Sequence, residues 1–414
     1  MMSSDKAGEP TKSAPAHQEH THYPSRAVIS RKAFLHNLKL ARKLAGEAEI
    51  MAVVKADAYG HGAVQISKWA LEAGVHWLAI AQLGEAIEVR RALTAADCAL
   101  TPHILALIVS PDSELDEALR LGIDLTVGSA AVLDAIAAAS AEVGVAARVH
   151  LEVDTGMARG GISAADELAM AEIARSLAGC QNTGLIEVVG VWSHLACADD
   201  PESEVTEQQI ALFENALEAL RAVGINPQYQ HLAASAGLLW HPRSRYTMVR
   251  PGIMLYGLSP NPEVATAQEI GLEPVMRLEA SVVSVRDVAS GTAVSYGHTA
   301  HTVSATRLAT VPLGYADGIP RSASNKVCVG IAGELQPILG RVCMDQFVIE
   351  APRAKVGDVV TLFGGGQAPS ADEWAADCGT IGYEIVTRIG MRVPREYAKP
   401  LGVVASEENN DGAE

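Results

Sequence analysis

Between residues 48 and 257 the chain alternates eight times between a short β-branched run and a segment of helical spacing. The runs are "IMAVVK" from 50, "WLAIA" from 77, "HILALIV" from 103, "DLTV" from 124, "RVHLEV" from 148, "VVGVWSHL" from 188, "YQHLA" from 229 and "MVRPGIMLYG" from 248. Segments such as "GEAIEVRRAL", "AAVLDAIAAASAEVG" and "EQQIALFENALEALRAVG" lie between them and repeat apolar residues three or four apart. Strands that are apolar along their whole length need cover on both faces, which helical crossovers provide in a parallel sheet. Eight such units predict an α/β fold, a (β/α)8 TIM barrel. A doubly wound open sheet is the competing architecture, but a nucleotide fold of that kind wants G-x-G-x-x-G after its first strand. "AYGHGA" at 58–63 does not supply it.

Beyond residue 262 the period changes. "LEASVVSVRDVASGTAVSYG", "RLATVPLGY" and "KVCVGIAGELQPILGRVCMDQFVIEA" read as strands broken by Gly, Pro and Asp, and helical spacing returns only in "ADEWAADCGTIGYEIVTRIG". The expected organisation is a barrel over 25–262 and a second, mostly β C-terminal domain over 263–402. Polar, disordered tails are expected at 1–24 and 403–414. The strand-like "RAVISR" at 26–31 precedes the barrel pattern and suits pairing with the β domain. "HQEHTH" in the N-terminal tail offers imidazoles without a preorganised geometry, so no metal site is assigned.

Asp and Glu outnumber Lys and Arg by 49 to 32, a formal charge of -17 that argues against nucleic acid or an anionic membrane as partner. No stretch reaches the ~20 apolar residues of a membrane span, and the N-terminus has no apolar signal core. The six cysteines show no paired spacing, as in a reducing cytoplasm.

Barrels of this kind place their chemistry at the C-terminal ends of the strands. Lys55 closes the first run, Arg159 follows the fifth, His194 ends the sixth, Ser235 follows the seventh, and Arg250 and Gly252 belong to the eighth. Lysine is rarely interior, and one at a buried strand tip is either a snorkelling side chain or an amine held for chemistry. A lysine beside arginines, a histidine and a Ser/Gly phosphate cradle suits a pyridoxal phosphate enzyme, whose lysine forms a Schiff base.

Seven ordered motifs then carry a resemblance: "AVVKADAYGHG" (52–62), "DTGM" before Arg159, "SHLACAD" (193–199), "RPGIMLYG" (250–257), "SYGHTA" (295–300), "GYADGIPR" (314–321) and "GRVCMDQ" (340–346). Together they resemble the alanine racemase family over about residues 25–400. The resemblance implies a barrel plus a β domain, pyridoxal 5'-phosphate, and a head-to-tail homodimer with shared active sites. It also implies two opposed bases, Lys55 for D-alanine and Tyr296 of the partner subunit for L-alanine, in an enzyme that supplies D-alanine for peptidoglycan. Tyr59, Ser235, Tyr383 and the amides of Gly252 and Ile253 would hold the phosphate. Arg250 would donate to the pyridine nitrogen. His194 would couple Arg250 to the tyrosine base, and His231 would continue that chain. Arg159 and the backbone of Met344 would bind the substrate carboxylate, and Tyr315 and Tyr383 would line the entrance.

Two positions depart from the family pattern. Glu152 stands where many members have a carbamylated lysine, and an acid there could orient Arg159 directly; Ala234 replaces the usual Asn before the serine. A racemase of broader specificity, acting on serine or other small amino acids, and a non-catalytic pyridoxal phosphate-binding protein are the alternative readings. Arg250 opposes decarboxylase chemistry, and Tyr296 speaks against a mere carrier.

Overall fold

The computed structural model describes residues 23–397 except 97 and 99, so the tails expected to be disordered, with the "HQEHTH" cluster, fall almost wholly outside the described residues. Each of the eight runs forms a parallel barrel strand: Glu49–Val53, Trp77–Gln82, His103–Ile108, Ile123–Val127, Ala147–Asp154, Ile186–Trp192, Tyr229–His231 and Met248–Val249. The eighth strand pairs with the first through Met248 opposite Glu49. It meets the seventh through Arg250 N–H donating to Ala233 O at 2.8 Å. This double pairing closes the barrel and excludes the open sheet.

Helices follow the strands, but after the eighth strand there are only the short 3₁₀ turn Ile253–Tyr256 and the one-turn helix Ala267–Ile270. The eighth place in the outer ring is taken by Arg31–Ala45, which precedes the first strand and packs between Ala63–Glu72 and Ser235–Trp240. The Ser30 hydroxyl caps this helix by accepting from Ala33 N–H, and Ala33, Phe34, Leu38, Ala41 and Ala45 form its buried stripe. Buried Asn37 fixes the helix to the end of the barrel. Its side chain donates to Leu255 O and Glu273 O, and it accepts from Glu273 N–H at 2.8 Å.

The second domain is built on a six-stranded sheet in the order Glu334–Pro337, Cys328–Ile331, Val359–Phe363, Met276–Ser281, Ser25–Ile29, Arg395–Tyr397. Ser25–Ile29 thus lies in this sheet, antiparallel to Met276–Ser281, although it precedes the barrel in sequence. Arg26 and Arg277 clamp the nearly buried Glu279 carboxylate, at 3.0 and 2.6 Å. A three-stranded sheet of Ser284–Val288, Thr306–Val311 and Phe347–Glu350 and a two-stranded one of Ala293–Val294 and Ala300–His301 complete the β structure of this domain among the described residues.

The late helical pattern forms Ala371–Cys378 and Gly382–Thr387, and the latter reaches back to pack on the segment after the first barrel strand. There the approach is backbone to backbone: a Cβ at Gly60 would lie 2.4 Å from Val386 O. That contact carries Tyr383 to the barrel mouth.

Candidate active site

Directly after Lys55 the chain turns the wrong way. Ala56, Asp57, Ala58 and Tyr59 all have φ between 52° and 54°, one turn of left-handed helix built without glycine. Such a conformation costs about 1–2 kcal/mol per L-residue, so neighbouring groups must hold it. Glu85 accepts from Ala56 N–H at 3.2 Å and Asp57 N–H at 2.7 Å. Asp57 in turn accepts from Ala63 N–H at 2.7 Å. Tyr59 is pinned by stacking on Tyr256, ring centroids 4.7 Å apart. Glu85→Ala is expected to lower unfolding free energy by about 1–3 kcal/mol, the cost of stranding a donor or a charge-assisted bond. Urea denaturation checks this, and an unchanged midpoint would show that the turn needs no such support.

The turn places Lys55 and Tyr59 on one wall of a cavity of about 800 Å³ at the C-terminal ends of the barrel strands. Nine sequence-derived residues line it: Lys55, Tyr59, Arg159, His194, Ser235, Arg250, Gly252, Ile253 and Tyr383. Sequence reasoning missed the apolar part of the wall, Leu107, Ile108, Val109 and Met157 among it. Those residues carry no chemical signature that separates them from core.

The electrostatics are those of a crowded cationic pocket. Burial, then the charges of Arg159 and Arg250, lower the pKa of Lys55 from its usual 10.5. Burial beside Arg250 holds His194 down at about 3, so the imidazole is neutral. Burial also draws Arg250 from 12.5 to about 9, which leaves it protonated at neutral pH. Its Nη1 donates to His231 O at 2.6 Å and His231 Nδ1 at 3.1 Å. Its Nη2 donates to Ser193 O at 2.7 Å and His194 Nδ1 at 3.3 Å. Among the described residues Nε–H has no hydrogen-bond partner.

Opposite, the Ser235 hydroxyl accepts from Gly252 N–H at 2.9 Å. A Cβ at Gly252 would lie 2.4 Å from Tyr59 Oη, so only glycine lets these three groups converge. Burial raises the pKa of both Tyr59 and Tyr383 well above the usual 10, which keeps their hydroxyls protonated donors. Glu152 lines the cavity and feels Arg159 and Arg250 through space, while burial pushes its carboxyl upward. Among the described residues no ion pair joins Glu152 to Arg159, so direct orientation is replaced by a longer-range attraction.

Three of the sequence-derived residues stand apart. Tyr296, Tyr315 and Met344 lie on the β domain, away from the cavity lining, with 71, 45 and 52% of their surface exposed. They share one loop cluster, held by Tyr315 N–H to Cys343 O at 3.0 Å, Ala316 N–H to Met344 O at 3.0 Å and Ser295 Oγ–H to Arg341 O at 2.7 Å. Ser295, at φ 61°, bends the chain just before Tyr296.

A lysine at a barrel mouth, a phosphate-sized cradle and an exposed tyrosine cluster on a separate domain form an unusual combination. Comparison with known proteins gives the same result from sequence and from shape. Residues 29–260 match the family model "Alanine racemase, N-terminal domain" and residues 275–397 match "Alanine racemase, C-terminal domain". An alanine racemase of Beutenbergia cavernae is 47% identical over 380 residues, covering 91% of this chain and 98% of the relative. One of Thermobifida fusca is 45% identical over 375 residues, covering 90% and 97%. The crystal structure of alanine racemase from D-cycloserine-producing Streptomyces lavendulae superposes with a TM-score of 0.87 at 39% identity, covering 92% of this chain and 99% of that one. With both of its domains matched in order and at nearly full length, this chain belongs to the alanine racemase family.

Proposed function

We propose that the chain interconverts L- and D-alanine with pyridoxal 5'-phosphate as cofactor, as a cytoplasmic homodimer that supplies D-alanine for the cell wall. The cavity fits that cofactor on its own chemistry. A lysine of lowered pKa supplies an amine for an aldehyde. The Tyr59, Ser235 and Gly252 cradle, which any Cβ would fill, supplies neutral donors for a phosphate. Bound through the lysine nitrogen, the cofactor supplies a conjugated system that acidifies the α-C–H of an amino acid.

The chain's own residues do the rest. Lys55 holds the cofactor and exchanges a proton on one face; Tyr296 of the partner subunit exchanges one on the other. Arg159 binds the substrate carboxylate, joined by the backbone N–H of the partner's Met344. Since guanidinium has no acceptor, Arg250 Nη1–H and Nη2–H make acceptors of His231 Nδ1 and His194 Nδ1. His194 Nε2 therefore carries a proton and can donate to the incoming tyrosine oxygen, which stabilises the phenolate and so populates the form that can accept a proton. Arg250 Nε–H is left for the ring nitrogen. Because arginine keeps its proton, a ring nitrogen accepting from it would stay unprotonated, which would disfavour transamination and decarboxylation. Tyr383 lies at the cavity mouth and Tyr315 of the partner subunit narrows it.

The observation that carries this reading is the gathering of nine candidate residues around one cavity while Tyr296 lies exposed outside it. Chiral chromatography of L-alanine incubated with the holoprotein tests the activity. Borohydride reduction followed by peptide mass analysis tests the linkage, with a pyridoxyl adduct expected on Lys55. No D-alanine, or an adduct elsewhere, would refute the proposal.

Glu152→Gln removes a through-space attraction to Arg159 and is expected to raise KM for alanine roughly two- to fivefold, as for a charge pair worth about 0.5–1 kcal/mol. Unchanged steady-state kinetics would show that Glu152 takes no part in carboxylate binding.

A further inference from the structure

A file of buried polar side chains crosses the barrel interior below the cavity. Asp124 on the fourth strand, His150 on the fifth and His231 on the seventh are fully buried, and Arg250 beyond the eighth is nearly so. His231 Nε2 and His150 Nδ1 are 2.9 Å apart. His150 Nε2, which has no hydrogen-bond partner among the described residues, lies 3.5 Å from Asp124 Oδ2, close enough for the carboxylate charge to attract its N–H. At the far end Arg148 Nε donates to both carboxylate oxygens, Asp124 Oδ1 at 3.1 Å and Oδ2 at 3.3 Å. Arg90 and His103 also face this carboxylate, and Trp77 packs edge-on against His150.

The direction of the two hydrogen bonds in this file follows from the arginine at one end, and the carboxylate at the other favours the same direction by its charge. Arg250 can only donate, so His231 Nδ1 accepts and His231 Nε2 bears the hydrogen. That hydrogen is donated to His150 Nδ1, so the hydrogen of His150 is on Nε2, aimed at an acceptor-only carboxylate. Both imidazoles are neutral, since burial lowers both pKa values. The barrel is shaped to admit the file: a Cβ at residue 190, on the sixth strand, would lie 2.0 Å from His150 Nδ1, and that residue is Gly190. The ladder between the fifth and sixth strands also slips at Val149/His150.

We infer that Asp124 is a positioning residue for the reaction: it locks His150 and His231 in their Nε2–H tautomers and thereby holds Arg250 in register at the cavity floor. Without that anchor His150 can carry its hydrogen on Nδ1, facing the Nε2–H of His231. His231 would then move its own hydrogen to Nδ1, against Arg250 Nη1–H. A tautomer change at the bottom of the barrel thus reaches the guanidinium as a donor facing a donor. The inference rests on the racemase reading for its rate consequence, but its structural content does not.

The test is Asp124→Asn in the holoprotein, with histidine side-chain ¹⁵N NMR and steady-state kinetics. Arg148 Nε donates to Oδ1 at 3.1 Å and to Oδ2 at 3.3 Å; with the asparagine oxygen on the shorter of the two, its NH₂ faces His150. His150 and His231 are expected to switch from Nε2–H to Nδ1–H. The kcat is expected to fall about tenfold with KM nearly unchanged, the size typical of a supporting shell around a functional group. Gly190→Ala, which displaces His150 without removing a charge, is expected to break the same pairing. Retention of both Nε2–H tautomers in Asp124→Asn would overturn the inference, whatever the rate does. That outcome is distinct from a wild-type chain that fails to racemise alanine, which would overturn the function instead.

Discussion

Equal amounts of Lys55→Ala and Tyr296→Phe protein, each inactive alone, recover about one quarter of wild-type racemisation once their subunits exchange, if each site draws on both protomers of a two-fold dimer. In a mixed dimer one site inherits both defects. The other pairs an intact Lys55 with an intact tyrosine from across the interface. Random pairing makes about half of the dimers mixed, with one good site in two. The exposure of Tyr296, Tyr315 and Met344 outside the cavity of their own chain is what motivates the experiment. Each variant alone is expected to lose about 10²–10⁴-fold in kcat, the usual contribution of a positioned acid–base group. The loss in kcat/KM must be the same from either enantiomer, because L- and D-alanine are of equal free energy and the ratio of the two kcat/KM values is fixed by that equilibrium. The bases are distinguished instead by isotope exchange: Tyr296→Phe keeps Lys55, so D-alanine should still exchange its α-hydrogen with D₂O while L-alanine does not. No recovery on mixing, with subunit exchange confirmed by differently tagged chains, would place both bases in one protomer.

The barrel was legible because its signal is periodic and repeated: eight apolar runs with helical spacing between them become eight strands in register. The cavity lining was legible where residue type and strand end coincided, as at Lys55, His194 and Arg250. Other features depend on contacts remote in sequence. The left-handed turn at Ala56–Tyr59 reads as ordinary helix-forming sequence, and its support comes from Glu85. The helix Arg31–Ala45 fills the place of the eighth barrel helix from the other end of the barrel sequence, held by a buried asparagine no periodicity marks. Asp124 and His150 sit in runs that read as plain buried strand, and only closure of the barrel brings them to His231. Residue 190 shows the same limit, since its need for glycine appears only when the imidazole across the strand is seen.

Arg250→Lys is expected to lower kcat by about 10²–10³-fold, the range for losing one preorganised donor at a reacting centre. Charge is conserved, so the effect isolates the shape of guanidinium. Arg250 is almost fully buried, and its two terminal nitrogens satisfy His231 O, His231 Nδ1, Ser193 O and His194 Nδ1 at 2.6, 3.1, 2.7 and 3.3 Å. A single ammonium cannot span acceptors on both the sixth and seventh strands while also presenting a hydrogen where Nε–H now lies. It must leave buried acceptors unpaired, at about 1–3 kcal/mol each, so the midpoint of thermal unfolding should fall as well. The packing of the guanidinium over Trp192, 5.1 Å from the ring centroid, is weakened by the same change. Lysine, unlike arginine, can also surrender its proton in a buried site, so protonation of the ring nitrogen would no longer be barred. Accumulation of pyruvate and the amine form of the cofactor during prolonged turnover with alanine would be the sign of that leak. Stopped-flow racemisation and pyruvate assays on the same protein separate the two effects: a variant with wild-type kcat and no pyruvate would show that only the charge of Arg250 matters.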